Sequence, residues 1–555
     1  MVKTLVVTSL VAFMLAATTC PTSAAAGIDR NARAIDGRTL LTNIKKLASD
    51  EFEGRSPSSK GEALTIQYVS EQFRAAGCTP GNPDGTFVQK VPLLSYRTQP
   101  AGALTVSRAD RTIEMNFADD FIAWTRRPVD RIALDGDVVF VGYGVTAPEF
   151  NWDDLDGMDL KGKILVMLVN DPPLPDEKLF GGRAMTYYGR WPYKFEQAAR
   201  AGAAGCFVIH ETGPAGYPWE VVRNSWGGES FTFLGPDNNE SVCPVEGWIT
   251  TTQAERLFAL AGTTFADAKA AALKPDFAPM ALGCRAKFDA ENAIRRVESR
   301  NVVAKIDGSD AKLKNEIVIL SAHWDHLGVG TPVDGDAIYN GAVDNATGVA
   351  GMLELAKAYG RMGRKPKRTI LFLLPTAEER GLLGSAYYGA NPLYPLERTV
   401  ANINMDGLNV LGRTHDVTVI GFGKSTLDDL TVEAARAQGR IVKPDPEPEK
   451  GSYYRSDHFN LAKVGVPALY VSAGIEFIGK PADFGTQKRK EYTSMRYHKP
   501  SDEVQPDWDL SGAVEDLQLV FHIGLQVANA PAIPTWREGD EFKARRDAMM
   551  RAPTK

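Results

Sequence analysis

The chain has 555 residues, 44% of them hydrophobic and 24% charged, and a net charge of −6 spread along its length. That is enough for several domains and a large core. The mildly acidic balance excludes the basic footprint of a nucleic-acid-binding protein, and no apolar run after the N-terminus reaches the roughly 18 residues that a membrane-spanning helix needs.

At the N-terminus, Lys3 precedes the apolar run Leu5–Ala17, and small residues follow as far as Ala24, Ala25 and Ala26. This is the layout of a secretory signal peptide, with cleavage expected near Gly27. The run is short for a membrane anchor. Residues 1–26 are therefore expected to direct export, to a periplasm or the cell exterior. The residues before Cys20 fit a lipid-attachment box poorly, so anchoring there is not expected. Cys78, Cys206, Cys243 and Cys284 form no C-x-x-C pair, which argues against a cysteine zinc site. An oxidising compartment permits disulfides, but the spacing favours no pairing. Cys206, within AAGCFVIH, reads as a buried thiol.

Residues 27–135 begin with a helical face carrying Ile66, Tyr68, Val69 and Phe73, ended by Gly77, and continue as strands. From 136 to 288 the texture changes. DVVFVGYGV, GKILVMLVND and AAGCFVIH are short β-branched runs, with the helical EQAARAGAAG between them, so a smaller inserted α/β unit is expected. Its Tyr187, Tyr188, Trp191, Tyr193, Trp219 and Trp226 suit a substrate cleft or the unit's own core equally well.

From 289 to 535 strand and helix alternate. The predicted strands are 316–322, 369–375, 400–406, 416–422 and 467–473; the predicted helices are 346–362, 425–439 and 509–530. The order predicts a mixed, largely parallel sheet flanked by helices on both faces. KPDPEPEKG (443–451) reads as a loop and 536–555 as a charged C-terminal tail, with its last dozen or so residues frayed.

In such sheets ligand groups gather at the carboxyl ends of the strands. The segments found there are SAHWDH with His323, Asp325 and His326, GAVDNATG with Asp344, TAEER with Glu378 and Glu379, and NINMDG with Asp406. MRYHKPSDE adds Tyr497 and His498. Two or more histidines among several carboxylates, with no thiolate, suit zinc; manganese or cobalt would also find donors here. Singly, each residue has a structural explanation. His323 could be a hydrogen-bonded strand-end residue, Asp344 or Asn345 a helix cap, and the adjacent glutamates a solvated helix start.

Together, His323-x-Asp325, Asp344-Asn345-Ala346-x-Gly348, Glu378-Glu379-x-Gly381-Leu382-x-Gly384-Ser385, Asn404-x-Asp406 and Tyr497-His498 resemble the two-zinc metallopeptidases that include bacterial secreted aminopeptidases and glutamate carboxypeptidase. Residues 136–288 are similar to a protease-associated domain. The resemblance implies two Zn2+ ions bridged by Asp344. His323 and Asp406 would complete one site, and Glu379 and His498 the other. It implies that the Asp325 carboxylate accepts the second ring proton of His323, that Glu378 is the general base for the attacking water, and that Tyr497 donates to the developing oxyanion. His326 has no assigned role. Arg455, in YYRSDHF, could meet a substrate carboxylate or pair with the acidic loop before it.

The implied activity is that of a secreted aminopeptidase acting on peptide substrates. A carboxypeptidase or dipeptidase on the same scaffold would need basic residues at a terminal carboxylate, which the sequence alone does not place. A receptor-like, non-catalytic relative should lack ligands, and here all five and the base are present. No oligomeric state is legible in the sequence.

Overall fold

In the computed structural model, which describes residues 30–174, 176 and 178–551, four parallel strands occupy the middle of the sheet that carries the site. The signal-peptide segment lies outside the described residues. The strands lie in the order Thr369–Leu374, Ile317–Ser321, Thr399–Asn404 and Ala468–Ala473. Three of them are buried along their whole length, which is why they read as unbroken apolar runs rather than alternating ones. Register aligns their carboxyl ends: Ser321 lies opposite both Leu373 and Asn404. Asp416–Ile420 runs antiparallel to Ala468–Ala473. On the other side, the 27-residue strand Met280–Ile306 runs antiparallel to Thr369–Leu374. The sheet is thus mixed and largely parallel at its centre, as expected.

Helices Gly348–Gly360 and Ser511–Asn529 bury against this sheet. They share one apolar core with the N-terminal helices Gly37–Leu47 and Lys60–Ala75. Among the described residues, no helix is long and apolar enough to cross a membrane.

Two boundaries differ from those read in the sequence. Met280–Ile306 is one continuous strand, so no break falls at 288. Its early part pairs with Arg131–Phe140, its middle with Val88–Pro100, and its end with Thr369–Leu374. The core around the inserted strands also starts before 136, since it gathers Leu104, Val106, Met115, Phe121 and Ile132 with Phe207, Ile249 and Phe288. The alternating burial along Met280–Asn292 is the period-2 signature of a strand with one face on a core. Cys78, Cys206, Cys243 and Cys284 are buried free thiols.

As far as Arg551, the charged C-terminal segment is not frayed. Lys543–Arg551 is a helix, and Trp536 and Phe542 bury with Tyr453, Tyr454 and Phe459. Trp536 Nε1 donates to the Gly465 carbonyl at 3.0 Å, and the Arg546 guanidinium donates to the Leu396 and Thr399 carbonyls. Charge density hid two aromatic anchors and one buried arginine. Trp536→Ala is expected to cost about 3–5 kcal/mol of stability, measurable as a shift in the denaturant midpoint with the slope unchanged.

Candidate metal centre

Each candidate ligand follows directly from a strand end or a tight turn. His323 is two residues beyond Ile317–Ser321, Asp406 two beyond Thr399–Asn404, and Glu378 four beyond Thr369–Leu374. Aligned strand ends therefore bring three distant segments to one sheet edge. Asp344 sits in the irregular turn 342–347 before helix Gly348–Gly360. His498 comes from the loop after helix Phe484–Met495, a helix that the sequence pattern did not reveal.

The side chains meet. His323 Nε2 lies 3.1 Å from Asp406 Oδ1 and 3.2 Å from Asp344 Oδ1. His498 Nε2 lies 2.9 Å from Glu379 Oε2 and 3.5 Å from Asp344 Oδ2. Asp344 thus offers one oxygen to each histidine. One ligand atom from each of His323, Asp344 and Asp406 falls within 4.8 Å of the others, and the same holds for His326, Asp344 and Glu379. Four carboxylates and three imidazoles are brought together with few neutral donors between them. This donor set fits a hard or borderline divalent cation.

The two neighbouring glutamates part at a turn. Ala377, Gly381 and Leu382 all have positive φ, so Glu378–Arg380 is a single tight turn. Glu378 faces His323, with 3.9 Å between its Oε2 and the ring Nε2. Glu379 faces the other way, to His326 Nδ1 at 2.6 Å and to His498. Their protonation differs accordingly. Burial, with the negative charges of Asp406 and Glu379, raises the Glu378 pKa well above the carboxylate range. For Glu379, burial is outweighed by His498 and His326, which hold it down at about 2. Burial opposes charge on the histidines too, yet the carboxylates prevail: His323 is raised well above the ordinary value, and His498 to about 9.

Asp325 acts differently from the expectation. His323 Nδ1 meets the main-chain carbonyl of Asp325 at 3.1 Å, whereas the carboxylate is 3.8 Å away. That carboxylate instead accepts the backbone N–H groups of Glu378 at 3.0 Å and Glu379 at 3.4 Å. It orients the glutamate turn, because the tight turn presents two free N–H groups to the nearest buried acid. Asn345, not Asp344, caps the following helix. Its Oδ1 accepts from Gly348 N at 2.9 Å and from Gly407 N at 3.1 Å, tying the Asp344 turn to the Asp406 loop.

Several supporting residues were not foreseen. Asp502 accepts from the backbone N–H groups of Val343 and Asp344, both at 3.1 Å. Its position four residues after His498 was a visible clue. Ser225, on the inserted helix Trp219–Trp226, hydrogen-bonds His498 Nδ1 at 2.8 Å, and Arg380 donates to its carbonyl. The insert thus fixes the ring orientation of a candidate ligand, a contact between segments 273 residues apart that no local pattern encodes. His326, unassigned from sequence, braces Glu379. Fully buried Arg55 donates to the carbonyls of Leu47, Trp324, Asn340 and Gly341, joining the His323 loop to the Asp344 turn.

Asp344, Glu378, Glu379, Asp406 and His498 line one wall of a cavity of about 560 Å³. Tyr497 stacks on His498 with 3.9 Å between ring centroids, and its hydroxyl accepts from Arg455 at 3.2 Å. Burial raises the Tyr497 pKa well above the usual phenol value, so it keeps its proton. The insert's aromatics divide between the two expected roles. Tyr187, Trp191 and Trp226 line the cavity, whereas Tyr193 is buried.

Three similarities to known proteins accompany this geometry. The vacuolar membrane protease of Lachancea thermotolerans is 31% identical over 140 residues, 25% of this chain and 13% of that protein. A probable zinc metalloprotease of Pyrenophora teres f. teres is 27% identical over 253 residues, 44% of this chain and 52% of that one. The chain therefore spans about half or less of the length of these relatives. The aminopeptidase from Aneurinibacillus sp. strain AM-1 shares the fold, with a TM-score of 0.54, 20% identity, and 90% and 96% of the two chains covered. Residues 301–522, which carry every candidate ligand, match the model of Peptidase family M28.

Proposed function

We propose that the protein is an exported, two-zinc aminopeptidase that hydrolyses the N-terminal residue of peptides. The observation that carries this reading is Asp344, whose two oxygens point to two histidines, each completed by a further carboxylate, beside an uncommitted carboxyl at the cavity wall. Asp344, His323 and Asp406 would hold one zinc; Asp344, Glu379 and His498 the other. The leader-like start of the sequence supports export.

Bound zinc would supply the Lewis-acid charge that activates water and polarises the scissile carbonyl. The chain's own groups do the rest. Glu378, which lines the cavity and whose carboxyl meets no backbone donor among the described residues, takes a proton from the attacking water and returns it to the leaving amine. Tyr497 donates its O–H to the carbonyl oxygen as negative charge develops there, and Arg455 holds that phenol in place. Asp325, Asp502, Ser225 and His326 keep the ligating groups in register.

The test uses leucyl p-nitroanilide, a leucyl peptide and its N-acetylated form, with and without chelator. Hydrolysis of the free-amine substrates should be abolished by chelator and restored by zinc, and the acetylated peptide should resist. Equal cleavage of the acetylated peptide would overturn the aminopeptidase reading, and full activity in chelator would overturn the metal.

A further inference from the structure

His498 presents its imidazole from a backbone conformation that its residue type disfavours. Its φ is +55°, in the left-handed region that residues other than glycine seldom occupy. Such a conformation persists only where the surroundings over-determine it. Two contacts fix it from outside its own loop, and both come from consecutive residues of the inserted helix Trp219–Trp226. Asn224 Nδ2 donates to the His498 carbonyl at 3.0 Å, and Ser225 Oγ meets the ring Nδ1 at 2.8 Å. One contact grips the backbone and the other the ring.

The helix can act as a fixed support because it is anchored in the inserted unit. Val221 and Val222 are buried in one apolar cluster with Val208 and Trp248, and Tyr497 packs against that same cluster. Trp219 Nε1 donates to the Ala118 carbonyl at 2.9 Å, and Trp226 stacks on Trp124 with 6.1 Å between ring centroids. Just before the helix, Tyr217 lies beneath the guanidinium of Arg455, 5.1 Å from ring centroid to guanidinium carbon, and Arg455 donates to the Tyr497 hydroxyl. The short stretch 217–226 thus supports both Tyr497 and His498.

The other imidazole of the centre is oriented differently. His323 Nδ1 meets the main-chain carbonyl of Asp325, within its own loop, at 3.1 Å. A histidine that ligates through Nε2 keeps its proton on Nδ1 and donates it to an outer partner, which fixes the ring. For His323 that partner is local. For His498 it is a hydroxyl carried by the insert.

We propose that Asn224 and Ser225 are positioning residues that clamp His498, so that the zinc held by Asp344, Glu379 and His498 binds tightly only while the insert is docked, whereas the zinc held by Asp344, His323 and Asp406 has no such dependence. This rests on the two-zinc reading and deepens it. The insert becomes part of the metal centre as well as a wall of the cleft.

Zinc titration of the metal-free full chain against a chelating dye, resolved by equivalent, tests the clamp. Ser225→Ala and Asn224→Ala should each weaken one equivalent by about 10–100-fold, the usual effect of losing an outer partner of a ligand, and leave the other as in the native chain. Ser225→Thr, which keeps the hydroxyl, should recover part of the loss. Combined with Asp406→Asn, which spares the His498 site, Ser225→Ala should leave no tight equivalent; a tight one surviving there would overturn the assignment. Two native-like equivalents in both alanine variants would overturn the clamp, and so would equal weakening of both equivalents. A lower melting temperature of the metal-free variants with zinc binding intact would mark the two residues as structural and overturn it too. If Ser225→Ala does not fold, Asn224→Ala carries the test alone. A native chain that binds two zinc ions, with variants that match it, removes the clamp alone. A native chain that binds none removes the two-zinc reading, and the clamp with it.

Discussion

Glu378→Gln should retain its metal and lose turnover by roughly 10²- to 10⁴-fold, the usual contribution of a positioned general base. That corresponds to about 3–5 kcal/mol of transition-state stabilisation. The loss should appear in kcat more than in KM, because the proton is moved only as the water attacks. The fold should be indifferent. Burial together with Asp406 and Glu379 raises the Glu378 pKa well above the carboxylate range, so in the metal-free protein its carboxyl carries a proton and an amide is a close replacement. Metal content, melting temperature and single-turnover rates on one preparation check the prediction. A variant that loses metal along with activity would place Glu378 among the ligands instead.

Glu379→Gln, one residue away, should fail differently. Its carboxylate pairs with His326 at 2.6 Å and His498 at 2.9 Å and is held at a pKa of about 2. Neutralising it removes a candidate ligand and strands two imidazoles. Loss of an outer partner alone typically weakens metal binding 10–100-fold, so loss of this group should weaken it by more than about a hundredfold. Removing one member of a buried charged cluster should also cost the metal-free fold on the order of 3 kcal/mol. Competition against a chelating dye reads the first effect, and denaturation of the metal-free protein the second. Metal affinity equal to that of Glu378→Gln would contradict the assignment.

These paired outcomes resolve what looks like an electrostatic conflict in TAEER. Adjacent carboxylates are tolerable because a turn with positive φ on both sides points them in opposite directions, while Asp325 accepts both of their N–H groups.

The strands, and hence the sheet edge, were legible because a fully buried parallel strand leaves an unbroken apolar run such as TILFLLP. The ligand candidates were legible because histidines and acids at the ends of such runs have few dull explanations once five coincide. What escaped the sequence was long-range. The contact of Ser225 with His498 depends on how the insert docks, and the use of Asp325 depends on the shape of the turn that follows the neighbouring strand. The boundaries of the insert escaped because Met280–Ile306 continues through the point where the composition changes. The C-terminal helix escaped because its high charge conceals the few buried side chains that dock it.

The most direct test of the central claim is metal stoichiometry coupled to activity. The metal-free protein is titrated with zinc while bound metal and leucyl p-nitroanilide hydrolysis are followed together. Two equivalents bound per chain, with activity dependent on occupancy and both equivalents weakened in Asp344→Asn, is the predicted result. Full hydrolysis without bound metal, or an Asp344→Asn variant that binds zinc as the native chain does, would contradict it.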